Sequence, residues 1–394
     1  MDSVTEPKQQ NMQTIVISLI TGFFIWILFT FFQKKGEEKE EHNQNIEKDK
    51  TDTVKEHTKK TFKHAKFTKK ASVSNFSHSL LSVTLKGHSG KVLGLDVSIN
   101  GKYMASSSDD RSVRLWSVKD FGAGNKCVRV NVEFDHARFA RFSPDSRAFI
   151  AGLAVENTVR VFKLGKNNDG VTTCIPIEGD FVKYNQFVAS CGWTPDVKVW
   201  AVNFTRSGEY KDVTRAFELK GHTTTVWSFD FNNDSTRMVT VSKDGSWRFY
   251  DTGVEYEKGQ EPYLLHTGEF HISDCSIDKD FCIVALSPDA RVVAVACMNN
   301  IIVFSTASGQ VEVEFKEVHT EIITALIFDI AGRYILSSGD KHVRVFHNVL
   351  GYKETIRELE EKIRPIPSAS SVRERYQKQV DEAKKSLNAI LKIK

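Results

Sequence analysis

Six short runs along the chain share one order of positions: apolar, then basic or apolar, then apolar, then an aromatic ring. They are VRLW at 113–116, VRVF at 159–162, VKVW at 197–200, WRFY at 247–250, IIVF at 301–304 and VRVF at 343–346. Alternation of this kind predicts strands with one buried face. The closing aromatics stand 46, 38, 50, 54 and 42 residues apart. Turn signals sit between them at Asn100-Gly101, Ser143-Pro144-Asp145, Ser287-Pro288-Asp289 and Ala331-Gly332. A histidine precedes several of the aromatics at a nearly constant interval. His88 lies 28 residues before Trp116, His222 lies 28 before Tyr250, His319 lies 27 before Phe346 and His136 lies 26 before Phe162.

The flanks follow other rules. Thr14 to Phe32 is a run of 19 residues without a charge. As a helix it rises ~28 Å, close to the ~30 Å hydrocarbon core of a bilayer. The phenylalanines at its end are followed by Gln33, Lys34 and Lys35, which does not suit a cleaved signal peptide. The excess of lysine after the span places its C-terminal side in the cytosol and residues 1–13 in the lumen. A short, Phe-rich span fits a thin membrane such as the endoplasmic reticulum. Residues 33–79 read as a charged, disordered linker. Seven lysines, Lys55, Lys59, Lys60, Lys63, Lys66, Lys69 and Lys70, could instead attract anionic lipid or ribosomal RNA. The tail, 351–394, is helical: helix formers run from Tyr352 to Ile363, Pro365 and Pro367 interrupt, and Ser371 to Glu374 forms a capping-box pattern. Apolar residues at 372, 376, 380, 383, 387, 390 and 391 then recur with a helical period. That stripe suits either packing on the preceding domain or docking of a partner.

The recurring unit between 80 and 350, with GH near its start and an aromatic at its end, resembles the WD40 repeat. The resemblance implies an all-β propeller of four-stranded blades, with a buried chain of His, Ser/Thr, Asp and Trp in each complete blade. Carried over, the first blade has His88, Ser106, Asp110 and Trp116. The blade ending at Tyr250 has His222, Thr240 and Asp244, with tyrosine replacing Trp. The blade ending at Phe346 keeps His319 and Asp340 and loses the aromatic donor. These residues are structural, because they satisfy buried polar groups at a tight turn. Leu80 to Leu85 would complete the last blade and close the ring. Positions beside the structural His and Asp lie on the narrow face of such a propeller, which makes Lys91, Asp109, Arg111, Thr225 and Lys243 candidate partner contacts.

Length limits the blade count. The 271 residues from 80 to 350 accommodate six repeats of ~40–45 residues, whereas the family more often has seven. The short interval from Phe162 to Trp200 contains strand-like Phe187–Ser190 and Val197–Trp200. It has no first strand with its preceding His and following turn. About one blade is therefore expected to be missing near 170–187, leaving a weak blade at 174–202 and a six-bladed or open ring.

Charge and composition narrow the function. The net charge is +4, and the segment 80–350 holds 30 basic and 33 acidic residues, so the propeller is not expected to bind nucleic acid. Linker and tail each carry an excess of four positive charges and could make weak RNA contacts. The six cysteines show no CxxC pair, which argues against zinc and for buried thiols in a reducing compartment. No nucleophile elbow, phosphate loop or HExxH occurs, so neither an enzyme nor a cofactor is expected. Longer stretches, FSHSLLSVTLKGHSG at 76–90, DDRSVRLWSVKDF at 109–121 and VASCGWTPDVKVW at 188–200, are similar to a membrane-anchored branch of the WD40 family. That resemblance implies residence in the endoplasmic reticulum membrane and association with the stress-activated kinase that phosphorylates a translation initiation factor. It also implies a part in translation control during the unfolded protein response. The expectation is an anchored scaffold for protein partners. The alternatives are a ribosome- or RNA-tethering protein acting through linker and tail, or a substrate receptor of a ubiquitin ligase. The last is weakened because Ser117 and Ala201, not aspartate, follow Trp116 and Trp200.

Overall fold

A computed structural model describes residues 76–121, 126–166, 172–177, 187–205, 210–270, 281–367 and 370–392. The candidate span 14–32 and the lysine-rich linker lie outside them. Among the described residues no helix is long and apolar enough to cross a membrane.

The strands form six antiparallel sheets, the blades of a propeller. Blade 1 occupies 92–131, blade 2 137–177, blade 3 187–219, blade 4 226–269 and blade 5 282–315. Blade 6 combines 325–347 with the N-terminal strand Leu81–Lys86, which pairs antiparallel with His342–His347. The predicted closure thus holds, and no free sheet edge remains where the first and last strands meet.

Five blades share one connection between their first and second strands. At its apex a residue takes positive φ: Gly101, Ser146, Ser235, Ala290 and Gly332. An anchoring side chain closes each of these turns. The hydroxyls of Ser98, Ser143 and Ser287 accept from the N–H five residues on, and Asn232 and Asp329 do so through a side-chain oxygen. These are the Asx- and Ser-type turns that the Pro-Asp and Asn-Gly signals announce.

Blade 3 is different. Among the described residues it has three strands, Phe187–Ser190, Val197–Phe204 and Tyr210–Leu219. The two strands expected there are present, and among the described residues no innermost strand precedes them. The expected bounds need correction, however. Thr172–Ile177 pairs with Val159–Lys166 and is the outer strand of blade 2, so the incomplete blade runs from 187 to 219. The chain reaches that pairing because the strand 159–166 is long enough to hold a partner along its second half.

Two helices follow. α1 (Val349–Ile363) is capped by Asn348, whose side chain accepts from the Gly351 N–H at 3.0 Å. It is fixed to blade 5 by Arg291 to Glu358 (2.5 Å) and Ser305 to Glu354 (3.0 Å). α2 (Ser371–Lys392) packs on α1 through Tyr376 and Val380. Arg373 donates to the Ile363 and Ile366 carbonyls, so it satisfies the end of α1. The cap of α2 is Ser370, whose hydroxyl accepts from the Val372 N–H, one residue before the expected position.

The cysteine reading also changes. Cys127, Cys174 and Cys191 are half-buried free thiols and Cys282 is buried, but Cys297 is disulfide-bonded.

Candidate interaction face

Alternating strand directions put the connections between blades, and the turns between second and third strands, on one rim. The helices occupy the opposite rim. The loop-bearing rim is built on the His–Asp chains.

In blade 1 the chain has one direction. The Trp116 Nε1–H donates to Ser106 Oγ at 2.8 Å, Ser106 lies 2.8 Å from His88 Nε2, and His88 Nδ1 lies 2.8 Å from Asp110 Oδ2. Trp can only donate and an ionised carboxylate can only accept, so Nδ1 carries the His88 proton. Burial lowers the His88 pKa and keeps the ring neutral. Burial alone would raise the Asp110 carboxyl. Hydrogen bonds from Ser112, the Ser89 N–H and His88 overturn that and hold it at about 2. Blade 4 repeats the pattern with His222, Thr240 and Asp244. Its Tyr250 hydroxyl donates outside the chain, to the Lys220 carbonyl at 3.0 Å.

Blade 6 replaces the lost aromatic donor with a cation. Arg344 Nη1 lies 3.0 Å from Asp340 Oδ2 and 2.6 Å from His319 Nδ1. A guanidinium only donates, so His319 Nδ1 accepts and Nε2–H donates to Ser337 Oγ at 2.9 Å. The tautomer is therefore the reverse of that in blade 1. Burial opposes ionisation of Asp340, but hydrogen bonding from His342 and the Arg344 guanidinium hold it far below the usual carboxylate range.

Blade 2 inverts the arrangement. His136 is not the buried member. Its neighbour Asp135 is buried and accepts from the N–H groups of His136 (2.6 Å), Val155 (2.9 Å) and Glu156 (3.0 Å). In blade 1 the turn's aspartate accepts from the incoming loop; in blade 2 the loop's aspartate accepts from the turn. The carboxylate clamps the two segments and aims their neighbours outward. Phe134, with φ of 65°, is 87% exposed, and Val155 is 73% exposed. A bulky residue with positive φ is a strained position of the kind found at recognition sites. On the corresponding turn of blade 3, Trp193 is 96% exposed.

The five residues expected to face partners lie on this rim with unequal freedom. Lys91 pairs with Glu321 at 3.0 Å, joining blades 1 and 6. Asp109 and Arg111 are exposed, and the Arg111 carbonyl receives the Val132 N–H. The Thr225 carbonyl holds the Lys243 N–H at 3.0 Å, so both are partly committed to their turn. Phe134, Val155 and Trp193 were missed. The available signal was an aromatic or apolar residue inside a polar turn, as in Glu133-Phe134-Asp135. Among the described residues no cluster of side chains suits a metal ion.

Three comparisons place these features among known proteins. The model for the WD domain, G-beta repeat, matches residues 79–117, 214–251 and 311–347. Mouse transducin beta-like protein 2 is 39% identical, with 92% of this chain and 89% of that protein covered. The human protein of the same name is 41% identical over 81% of this chain and 83% of its own length. A rice guanine nucleotide-binding protein subunit beta is 24% identical over 66% of this chain and 70% of its own. The mouse alignment spans 417 positions but takes in 92% of 394 residues, about 362, so about 55 positions have no residue here.

Proposed function

The chain belongs to the family of transducin beta-like protein 2, and from that premise we propose that its loop-bearing rim assembles protein partners at a membrane surface. The observation that carries the reading is the pair of exposed aromatics, Phe134 beside the Asp135 clamp and Trp193 on a turn of the adjacent blade. Exposed aromatics on rigid loops are the residue types that dominate binding energies at protein interfaces. The membrane is that of the endoplasmic reticulum and the propeller is cytosolic, as the lysine bias after residue 32 supports. The partners in this reading are the stress-activated kinase and the translation machinery.

The variant Phe134→Ser with Trp193→Ser is expected to lose most proximity-labelled neighbours of the full chain while its thermal midpoint stays unchanged. Retention of every neighbour by that variant, and by charge reversals at Lys91, Asp109 and Arg111, would sink the face assignment. Compartment is tested separately. Of the three glycosylation sequons, Asn75 lies outside the described residues. Asn203 is committed, its amide donating to Asp212 at 2.6 Å, while Asn233 is exposed in a turn. No mobility shift is expected on endoglycosidase treatment. A shift that disappears in Asn233→Gln would put the propeller in the lumen.

A further inference from the structure

Five of the six seams between blades hold an apolar core. Clusters bridge blades 6 and 1, 1 and 2, 3 and 4, 4 and 5, and 5 and 6. Among the described residues none bridges blades 2 and 3. Blade 2 turns Phe149, Ala151 and Phe162 toward blade 1, so strand alternation turns Phe139 and Val159 toward blade 3. Blade 3 turns Val197, Val199 and Phe217 toward blade 4, which leaves Val188 and Val213 facing blade 2. These four seam residues are 40 to 56% exposed, at positions that the other seams bury. Among the described residues Phe187–Ser190, the second strand of a regular blade, is paired on one side only, with Val197–Phe204.

We propose that this seam is a second docking site, and that it takes an extended partner segment of alternating apolar and acidic residues, added as the innermost strand of blade 3. Backbone bonds to the open edge supply affinity, and alternate side chains contact the apolar walls. Charge selects the occupant. Arg141 is spent on the Leu95 carbonyl and Asp96, and Arg215 on Glu218. Lys163 and Lys198 remain exposed on the two seam faces. Two copies of this chain apposed at the seam would bring these like charges together, which disfavours self-association and favours an acidic strand. The site is separate from the loop-bearing rim and does not depend on it.

The probe is a labelled peptide of about ten residues, a long strand's length, alternating valine with glutamate. It should bind the full chain saturably and slow hydrogen exchange at 187–190. Lys163→Glu with Lys198→Glu, both exposed, should weaken it about tenfold and transfer preference to a valine–lysine peptide. The Phe134→Ser, Trp193→Ser variant should bind the peptide normally, which separates this site from the rim. Equal binding of both peptides overturns the proposal. So does protection of 187–190 before any peptide is added, which would mean that the chain covers its own seam. A dimer that persists with either peptide would assign the seam to a second copy and overturn it as well.

Discussion

Replacing Arg344 with leucine is expected to cost about 3–5 kcal/mol of stability, the range for stripping one partner from a buried ion pair. Arg344 is 1% exposed, and its guanidinium also lies 5.6 Å from the Phe76 ring. It therefore joins three things: the Asp340 carboxylate, the reversed His319 tautomer and the segment leading into the closing strand. Leucine leaves the carboxylate buried without its cation and removes the cation from the Phe76 ring, which keeps its contact with Phe346. The loss is read as a lower urea midpoint at pH 7. A second change, Asp340→Asn in the leucine background, should return part of the loss by removing the stranded charge. If the single variant loses less than about 1 kcal/mol, the value of an exposed pair, the cation is not the replacement donor described above.

Trp116 gives the second large effect. It is 1% exposed and packs in the cluster joining blade 6 to blade 1, where the ring closes. Trp116→Ala should cost about 3–5 kcal/mol, as large-to-small changes of buried Trp do. Trp116→Phe keeps most of the packing and removes only the N–H to Ser106, so about 1 kcal/mol is expected. A cycle with Ser106→Ala separates the two contributions, because groups sharing one hydrogen bond are non-additive. Full additivity in that cycle would contradict the directional chain from Trp116 to Asp110.

These two sites differ in how far they could be read beforehand. The four members of the blade 1 chain stand at fixed intervals in sequence, and each is where the repeat places it. The structure had only to supply distances. In blade 6 the repeat correctly indicates a missing aromatic donor, but its replacement was invisible. Arg114, Arg248 and Arg344 occupy the same place in their strands, yet only Arg344 donates to the histidine. Arg114 instead donates to Cys127 at 3.1 Å. No local pattern distinguishes them, because the choice depends on what sits on the neighbouring strand.

By itself the sequence determined the strand repeat, the turns, the closing strand, the helical tail and a count of six blades. Each of these follows from period, spacing or length, which are properties of the chain alone. Only the tertiary structure decided which side chains are left over. That Asp135 rather than His136 is buried, that Phe134 and Trp193 are exposed, and that among the described residues no apolar core bridges blades 2 and 3 all depend on neighbours distant in sequence. An apolar residue on a strand or turn has the same local pattern whether a blade covers it or not; burial is settled by the surface brought against it.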